Sequence, residues 1–387
     1  MMKPAIVIAT YNRPVSLLRL LSSVESAIYD VQDVPLVISI DGGGTNNQET
    51  CRIAEDFNWS FGTKRIIKHK ENLGLRNHIL SCGDLSEVFG AVIVLEDDIY
   101  VSPYFYKYAC SAAEFYKNDE KIAQISLYSF NIHIHTLLPF VPLKSAYDTY
   151  FVQYGCSWGQ CWTKSQWSGF RKWYNKGQQV TKIDKLPRNI INWPESSWLK
   201  FFTKYLVETD KVSVYPYWGY STNINDAGVH NRADQFTYQC HLATQSIDLN
   251  FAPYRSTSIK YDAFFELSAT YIKVFNRDLA RFEFEVDLYG QKLIDGITAE
   301  YFLSTCKCSK PILKFPLILK PLEQNILLNI IHHQNDIFLG KKETFAVNDY
   351  KIKIWAYQTL PLPMGKAIKQ LIQRIFKSLH YYIKRNI

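Results

Sequence analysis

No stretch of this 387-residue chain approaches the roughly eighteen consecutive apolar residues of a membrane-spanning helix. The opening Met1–Thr10 is too short for a secretory signal and runs directly into a patterned element, so a leader segment is not expected. The eight cysteines, Cys51, Cys82, Cys110, Cys156, Cys161, Cys240, Cys306 and Cys308, lack the paired spacing of a structural metal site. Their scatter predicts reduced thiols in a cytoplasmic protein rather than a disulfide framework. There is no internal repeat and no low-complexity segment, which excludes solenoids and disordered linkers. Basic charge spread over a reading surface is also lacking. Of the net +8, Lys366, Lys369, Arg374, Lys377, Lys384 and Arg385 supply +6 within residues 361–387, where no acid occurs. A nucleic-acid binder would distribute its charge differently.

What is present is a chain long enough to bury a substantial core, with 47% hydrophobic and 21% charged residues. Aromatic residues reach 15%, and seven of the nine tryptophans fall between Trp158 and Trp218. Such a density serves a core or a flat-faced ligand cleft.

The first 130 residues alternate between two periodicities. Pro4–Thr10 (PAIVIAT), Pro35–Asp41 (PLVISID) and Ala91–Leu95 (AVIVL) are short β-rich apolar runs of the kind found in buried parallel strands. Arg65–Lys68 and Ile122–Leu127 are further strands. Between them lie helical patterns, one opened by Pro14 with Leu17, Leu18, Leu20, Leu21 and Val24 on one stripe. Others start near Leu75 and span about Pro103 to Lys117. Strand–helix alternation predicts an α/β fold with a doubly wound, mostly parallel sheet. In such sheets ligands bind beyond the carboxyl ends of the strands. Three strand ends carry polar groups that should converge there: Thr10-Tyr11-Asn12-Arg13, Asp41-Gly42-Gly43 and Glu96-Asp97-Asp98.

The acidic triplet is the most informative of the three. Three consecutive carboxylates closing a hydrophobic strand cost solvation and mutual repulsion unless a cation offsets them. Hard divalent ions take oxygen ligands, and Mg²⁺ favours one or two carboxylates together with substrate phosphates. The competing reading is an exposed acidic turn, which the preceding AVIVL run and the presence of Asp41 at another strand end both disfavour.

The strand Ile6–Thr10 with Tyr11-Asn12-Arg13-Pro14 resembles the opening strand of many GT-A glycosyltransferases. Ser39-Ile40-Asp41-Gly42 resembles their second nucleotide-contacting strand end. Glu71-Asn72-Leu73-Gly74-Leu75-Arg76-Asn77 resembles the turn before their donor-side helix. Val94 to Phe105 (VLEDDIYVSPYF) is similar to the metal motif of the N-acetylglucosaminyltransferase I family and of several bacterial polysaccharide glycosyltransferases. The likeness continues through Tyr154–Gly159 (YGCSWG) and Trp193–Trp198 (WPESSW), and ends near Ser221–His230 (STNINDAGVH). The resemblance implies that Thr10, Tyr11, Asn12 and Arg13 border the donor, that Asp41 reads the base and that Glu96 accepts from the ribose. It implies Asp98 as the anchor of Mn²⁺ or Mg²⁺ bridging a diphosphate, with Asp97 supporting the sugar or the metal shell. Arg76 would grip donor oxygens through paired hydrogen bonds. His230 would approach the metal from a later loop. An acid before an acceptor-side helix usually serves as base in the similar proteins. Here Glu195, preceded by Pro194, holds that place, which departs from the usual W-D-x-x-W setting. Inversion at the transferred carbon follows from the resemblance alone.

The aromatic concentration suits an acceptor cleft, with Trp158 and Trp198 as its exposed members; the rest read as core. His133 and His135 could share one face of a strand, but without a third ligand they read as a loop feature. The expected organisation is a GT-A catalytic domain over 1–250 (nucleotide-sugar half about 1–130, acceptor half about 131–250), a region of unknown role over 251–363, and a basic helix over 364–387. In that last segment Ile368, Leu371, Ile372, Ile375, Phe376, Leu379, Tyr382 and Ile383 form one apolar stripe flanked by the basic residues. This predicts peripheral attachment to an anionic surface on the inner face of the cell membrane. The function expected is transfer of a sugar from a UDP-sugar to a carbohydrate hydroxyl, on an acceptor that could be lipid-linked, in bacterial surface polysaccharide synthesis. Two other readings compete. A sugar nucleotidyltransferase would carry a Gly-rich basic loop after the first strand, which Thr10–Pro14 is not. A non-catalytic carbohydrate-binding protein would keep the fold without turnover.

Overall fold

A computed structural model of the chain describes residues 2–182, 184–224, 226, 237–346, 354, 357 and 372. It divides into two compact units, one of residues 1–135 with 140–281 and one of residues 136–139 with 282–387.

In the first unit strands and helices alternate as the periodicities require: β1 (Ala5–Thr10), α1 (Pro14–Glu25), β2 (Leu36–Ile40), α2 (Asn47–Asp56), β3 (Lys64–Lys68), α3 (Gly74–Asp84), α4 (Ser86–Phe89) and β4 (Ala91–Glu96). Next come β5 (Ile99–Val101), α5 (Phe105–Tyr116), β6 (Ile122–Ser126), β7 (Thr149–Val152), β8 (Gln160–Thr163), α6 (Lys164–Tyr174), α7 (Arg188–Ile191) and α8 (Trp198–Glu208). The unit finishes with β9 (Val212–Pro216), β10 (Ser221–Asn223), β11 (Lys260–Tyr261) and α9 (Ala269–Phe275). Nine strands form one sheet in the order β11-β7-β9-β6-β8-β4-β1-β2-β3. The β3-β2-β1-β4 part is wholly parallel. Beyond β4 the sheet is mixed, because β8 enters antiparallel between β4 and β6. The chain therefore has the α/β, Rossmann-like sheet expected of a GT-A arrangement. Strand order reverses at β1, whose neighbours β2 and β4 are reached by connections in opposite directions. That reversal opens a crevice beyond the carboxyl ends of β1, β2 and β4.

Local chemistry explains why these runs become strands and helices. Every residue of β1 and β2 is buried, as a sheet covered on both faces demands. Pro14 stands at the first position of α1, where its missing N–H costs nothing and its fixed φ suits the helix. Leu17, Leu20, Leu21 and Val24 then pack into the core while Leu18 stays exposed. Thr163 and Gln166 close a reciprocal capping box at the start of α6.

One expectation about organisation differs from what is seen. The first unit continues past residue 250 to Arg281, because β11 adds to the sheet edge beside β7. The tryptophan-rich stretch largely fills a core between β8, α6 and α8. There Trp162 packs on Trp167 and Trp198 with ring centroids 4.5 and 5.6 Å apart.

The second unit has its own sheet, β12 (Phe284–Asp287), β13 (Tyr301–Ser304), β14 (Leu313–Phe315) and β15 (Ile337–Lys341), ordered β12-β13-β15-β14, with α10 (Gln324–Leu327) before β15. All eight cysteines are free thiols. No helix among the described residues is long and apolar enough to cross a membrane. The expected basic helix over 364–387 lies outside the described residues, save Ile372.

Candidate active site

The carboxyl ends of β1, β2 and β4 do meet, in a cavity of about 570 Å³ lined by Thr10, Tyr11, Arg13, Asp41, Glu96, Asp97 and Asp98. Local geometry at each strand end accounts for the convergence. After β1 the chain turns through Asn12, which takes φ 58°, a left-handed conformation that asparagine tolerates better than most residues. Its side chain accepts the Asn46 N–H, so Asn12 fastens the turn and stands outside the cavity lining. Arg13 is thereby aimed back across β1 at the acidic triplet.

The three carboxylates are not equivalent. Asp97 is buried and tied to the end of β1: it accepts from Thr10 Oγ1 (2.9 Å), Tyr11 N (3.2 Å) and Arg13 Nη1 (2.9 Å). Burial pushes its carboxyl up, Arg13 pulls against that, and the balance is a pKa of about 6. Asp98 faces the cavity and receives the same Nη1 at 3.2 Å. The side chain of Glu96, the last residue of β4, makes no hydrogen bond among the described residues. Burial first, then the neighbouring Asp98 and Asp97, hold it well above the usual carboxylate range.

Asp41 is also buried, and its carboxylate is already engaged by backbone. Oδ1 accepts from Gly42 N (2.9 Å) and Leu73 N (2.7 Å), and Oδ2 from Gly74 N (3.1 Å). It therefore ties the end of β2 to the N-terminus of α3, while still bordering the cavity. Position 42 must be glycine for this approach, since a Cβ there would stand 2.4 Å from the Glu71 carbonyl carbon.

Two further groups line the cavity: His78, which the sequence did not single out, and Asp226 of the STNINDAGVH segment. His78, one turn into α3, lines the cavity and shares Ser39 Oγ with His69, at 2.8 and 3.1 Å. Burial pushes its imidazole down to about 4, against the pull of Asp41, so it is neutral at physiological pH. Its spacing of four from Gly74 puts it on the helix face turned to the sheet, which was the available signal. Asp226 also lines the cavity. Burial raises its carboxyl, but Arg19 and Ser16 donate to it (2.7 Å from Ser16 Oγ) and bring it below its ordinary value.

A second cavity of about 420 Å³ adjoins the first and shares Leu75, Glu96, Ser157, Trp158 and Ser196 with it. Phe130, Tyr154, Trp158, Trp193 and Tyr238 present aromatic surface to it, with Asn189 and Ser197 among its polar groups. Trp158 is half-buried, packed against Tyr128 and Tyr238 with centroids 4.7 and 5.0 Å away, and borders both cavities.

Besides Asn12, two expected site residues, Arg76 and Glu195, line neither cavity. Trp198 does line the second cavity, but it is only 2% exposed, because it opens α8 on the inward face with its indole against Trp162 and Phe202. Arg76 lays its guanidinium over the Phe201 ring, 5.3 Å from the centroid, and lines neither cavity. Glu195 has a side chain 68% exposed and pairs with Lys200 Nζ at 2.7 Å, also outside both linings. His230 lies outside the described residues. His133 and His135 are in a loop, as expected, and pack against Phe265 with centroids 5.2 and 5.4 Å away.

Among the described residues no three His, Cys, Asp or Glu side chains are grouped as a self-sufficient metal site. An ion held partly by a diphosphate needs only one or two protein carboxylates, and the all-oxygen donor set of the triplet fits a hard divalent cation. Asp98, and Asp97 beside it, are the residues that would hold it.

No family model matches the chain, and no curated protein matches it. Among solved structures, S. aureus TarS (residues 1–349) is 13% identical with a TM-score of 0.37, covering 57% of this chain and 60% of that one. Its complex with UDP gives 13% and 0.34, covering 53% and 55%. The mannosyltransferase PcManGT from Pyrobaculum calidifontis, in complex with GDP-Man and Mn²⁺, is 10% identical with a TM-score of 0.28, covering 42% and 45%. A cytidylyltransferase from Leptospira borgpetersenii gives 12% and 0.28, covering 44% and 65%. The chain thus spans less than two thirds of each. Likenesses this slight carry no argument about activity.

Proposed function

We propose that the first unit is a metal-dependent glycosyltransferase that moves a sugar from a UDP-sugar to a carbohydrate hydroxyl. One observation carries the reading: an acidic triplet at the strand-order reversal opens into a cavity that runs directly into a second, aromatic one. The first suits a nucleotide diphosphate and the second a sugar ring, whose C–H faces pack on aromatic surfaces. Glu96 and Trp158 stand at their junction, where donor and acceptor would meet.

In this reading Thr10, Tyr11, Arg13, Asp41 and His78 surround the donor. Asp98 anchors a divalent cation, which when bound would stabilise the charge that develops on the departing diphosphate. Trp158, Trp193 and Tyr238 receive the acceptor, with the edge of the largely buried Trp198 in the same lining. An inverting course, a surface polysaccharide as product and the N-acetylglucosaminyltransferase I likeness rest on the motifs alone. Inversion requires a base on the acceptor side, and the exposed, lysine-paired Glu195 is poorly placed to be one.

A screen of UDP-sugars by thermal shift with Mn²⁺ or Mg²⁺ tests the proposal. A single sugar nucleotide should raise the melting temperature only with the metal, and should be slowly hydrolysed to UDP without acceptor. Stabilisation by no sugar nucleotide would defeat the donor reading, and binding without any turnover would favour the carbohydrate-binding alternative. Attachment to an anionic membrane surface through residues 364–387 is part of the same proposal. The full-length protein should float with anionic vesicles and be released by high salt, whereas a chain ending at Pro363 should not float. Equal behaviour of the two would remove the tail from the reading.

A further inference from the structure

A cation already stands among the carboxylates of the triplet. Arg13 Nη1 reaches Asp97 Oδ1 at 2.9 Å and Asp98 Oδ2 at 3.2 Å, so a single guanidinium nitrogen bridges both side chains. The other terminal nitrogen, Nη2, donates to the carbonyl of Asp226 at 2.8 Å. The Asp226 side chain is in turn held by Ser16 and Arg19 of α1. Two residues earlier, Ile224 N donates to the Asp98 carbonyl at 2.8 Å. Arg13 thus connects the triplet to the chain that leaves β10, and it does so from inside the cavity.

We infer that Arg13 is a built-in counter-cation of the triplet, that a divalent ion must compete with it for Asp98, and that the displaced guanidinium is then free to grip a diphosphate. The physical basis is charge. A guanidinium and a divalent ion drawn to the same carboxylate repel each other, and each weakens the other's hold on Asp98. The planar fork of Arg13 is equally suited to phosphate oxygens once it leaves the carboxylates. The site would therefore bind free metal poorly and metal with diphosphate well, as an ordered exchange of partners. The hand-over to diphosphate rests on the donor reading above; the competition for Asp98 does not.

The test is titration calorimetry with Mn²⁺ alone, then with UDP at saturating Mn²⁺, on the full chain. Arg13→Gln should bind Mn²⁺ about tenfold more tightly than the wild type in the absence of nucleotide, through the loss of one repelling charge. The same variant should bind UDP about tenfold more weakly. Arg13→Lys, which keeps the charge but not the fork, should leave Mn²⁺ affinity near the wild-type value. Unchanged or weaker Mn²⁺ binding in a folded Arg13→Gln protein overturns the competition. Tighter Mn²⁺ binding with no UDP binding by either protein would leave the competition standing and remove the donor reading. If the variant fails to fold, the wild type decides: adding Mg²⁺ should shift the side-chain N–H resonances of Arg13 while those of Arg52, paired on the surface with Glu49 and Asp56, stay in place. Unmoved Arg13 resonances at saturating Mg²⁺ overturn it equally.

Discussion

Asp98→Asn is expected to lower sugar transfer by at least about a hundredfold and to remove the dependence of donor binding on a divalent ion. The substitution changes charge and almost no volume. The backbone link from Ile224 to the Asp98 carbonyl is untouched by it, and the amide oxygen can still accept from Arg13. Folding should therefore be kept, with a melting temperature within a few degrees of the wild type, while the Asp98 carboxylate that faces the cavity is lost. Steady-state turnover with and without excess chelator is the measurement. Normal turnover in the variant, or full wild-type activity in chelator, would show that no metal is anchored at Asp98.

The second large effect is on stability. Trp198→Ala should destabilise the first unit by roughly 3–5 kcal/mol, the usual cost of truncating a buried large aromatic residue. The indole is enclosed by Trp162 and Phe202 at the start of α8, and alanine would leave a cavity that rigid neighbours cannot close. Denaturant unfolding monitored by tryptophan fluorescence measures it as a fall in midpoint. If the midpoint stays put while acceptor affinity drops, the side chain touches acceptor after all. Trp158, which borders both cavities, should show the opposite pattern, since its loss removes cavity surface more than core.

The contrast between these two tryptophans shows where reading the chain residue by residue reaches its end. Both sit in aromatic, polar-flanked sequence, and nothing local separates them. Trp198 is enclosed because α8 starts with its first turn against β8 and α6. Trp158 is half-exposed because it precedes β8 at the sheet's carboxyl edge. Arg76 and Glu195 illustrate the same point. Each lies in a segment that does approach the site, yet each side chain is drawn to a protein partner outside the cavity linings: Phe201 for one, Lys200 for the other.

By itself the sequence determined the parallel strands β1, β2 and β4, the helices between them and the meeting of Arg13, Asp41 and the Glu96–Asp98 triplet. Apolar period and strand-end chemistry are local properties, and strand-order reversal follows from them by topology. Tertiary structure alone decided the rest: that β8 enters the sheet antiparallel, that β11 extends it to Arg281, that the Asp41 carboxylate is occupied by backbone N–H groups, and that His78 joins the cavity. It also decided that Arg13 stands between Asp97 and Asp98. Those outcomes depend on which long-range partner lies nearest in space, and pairwise proximity across 84 residues, as between Arg13 and Asp97, leaves no periodic trace in the chain.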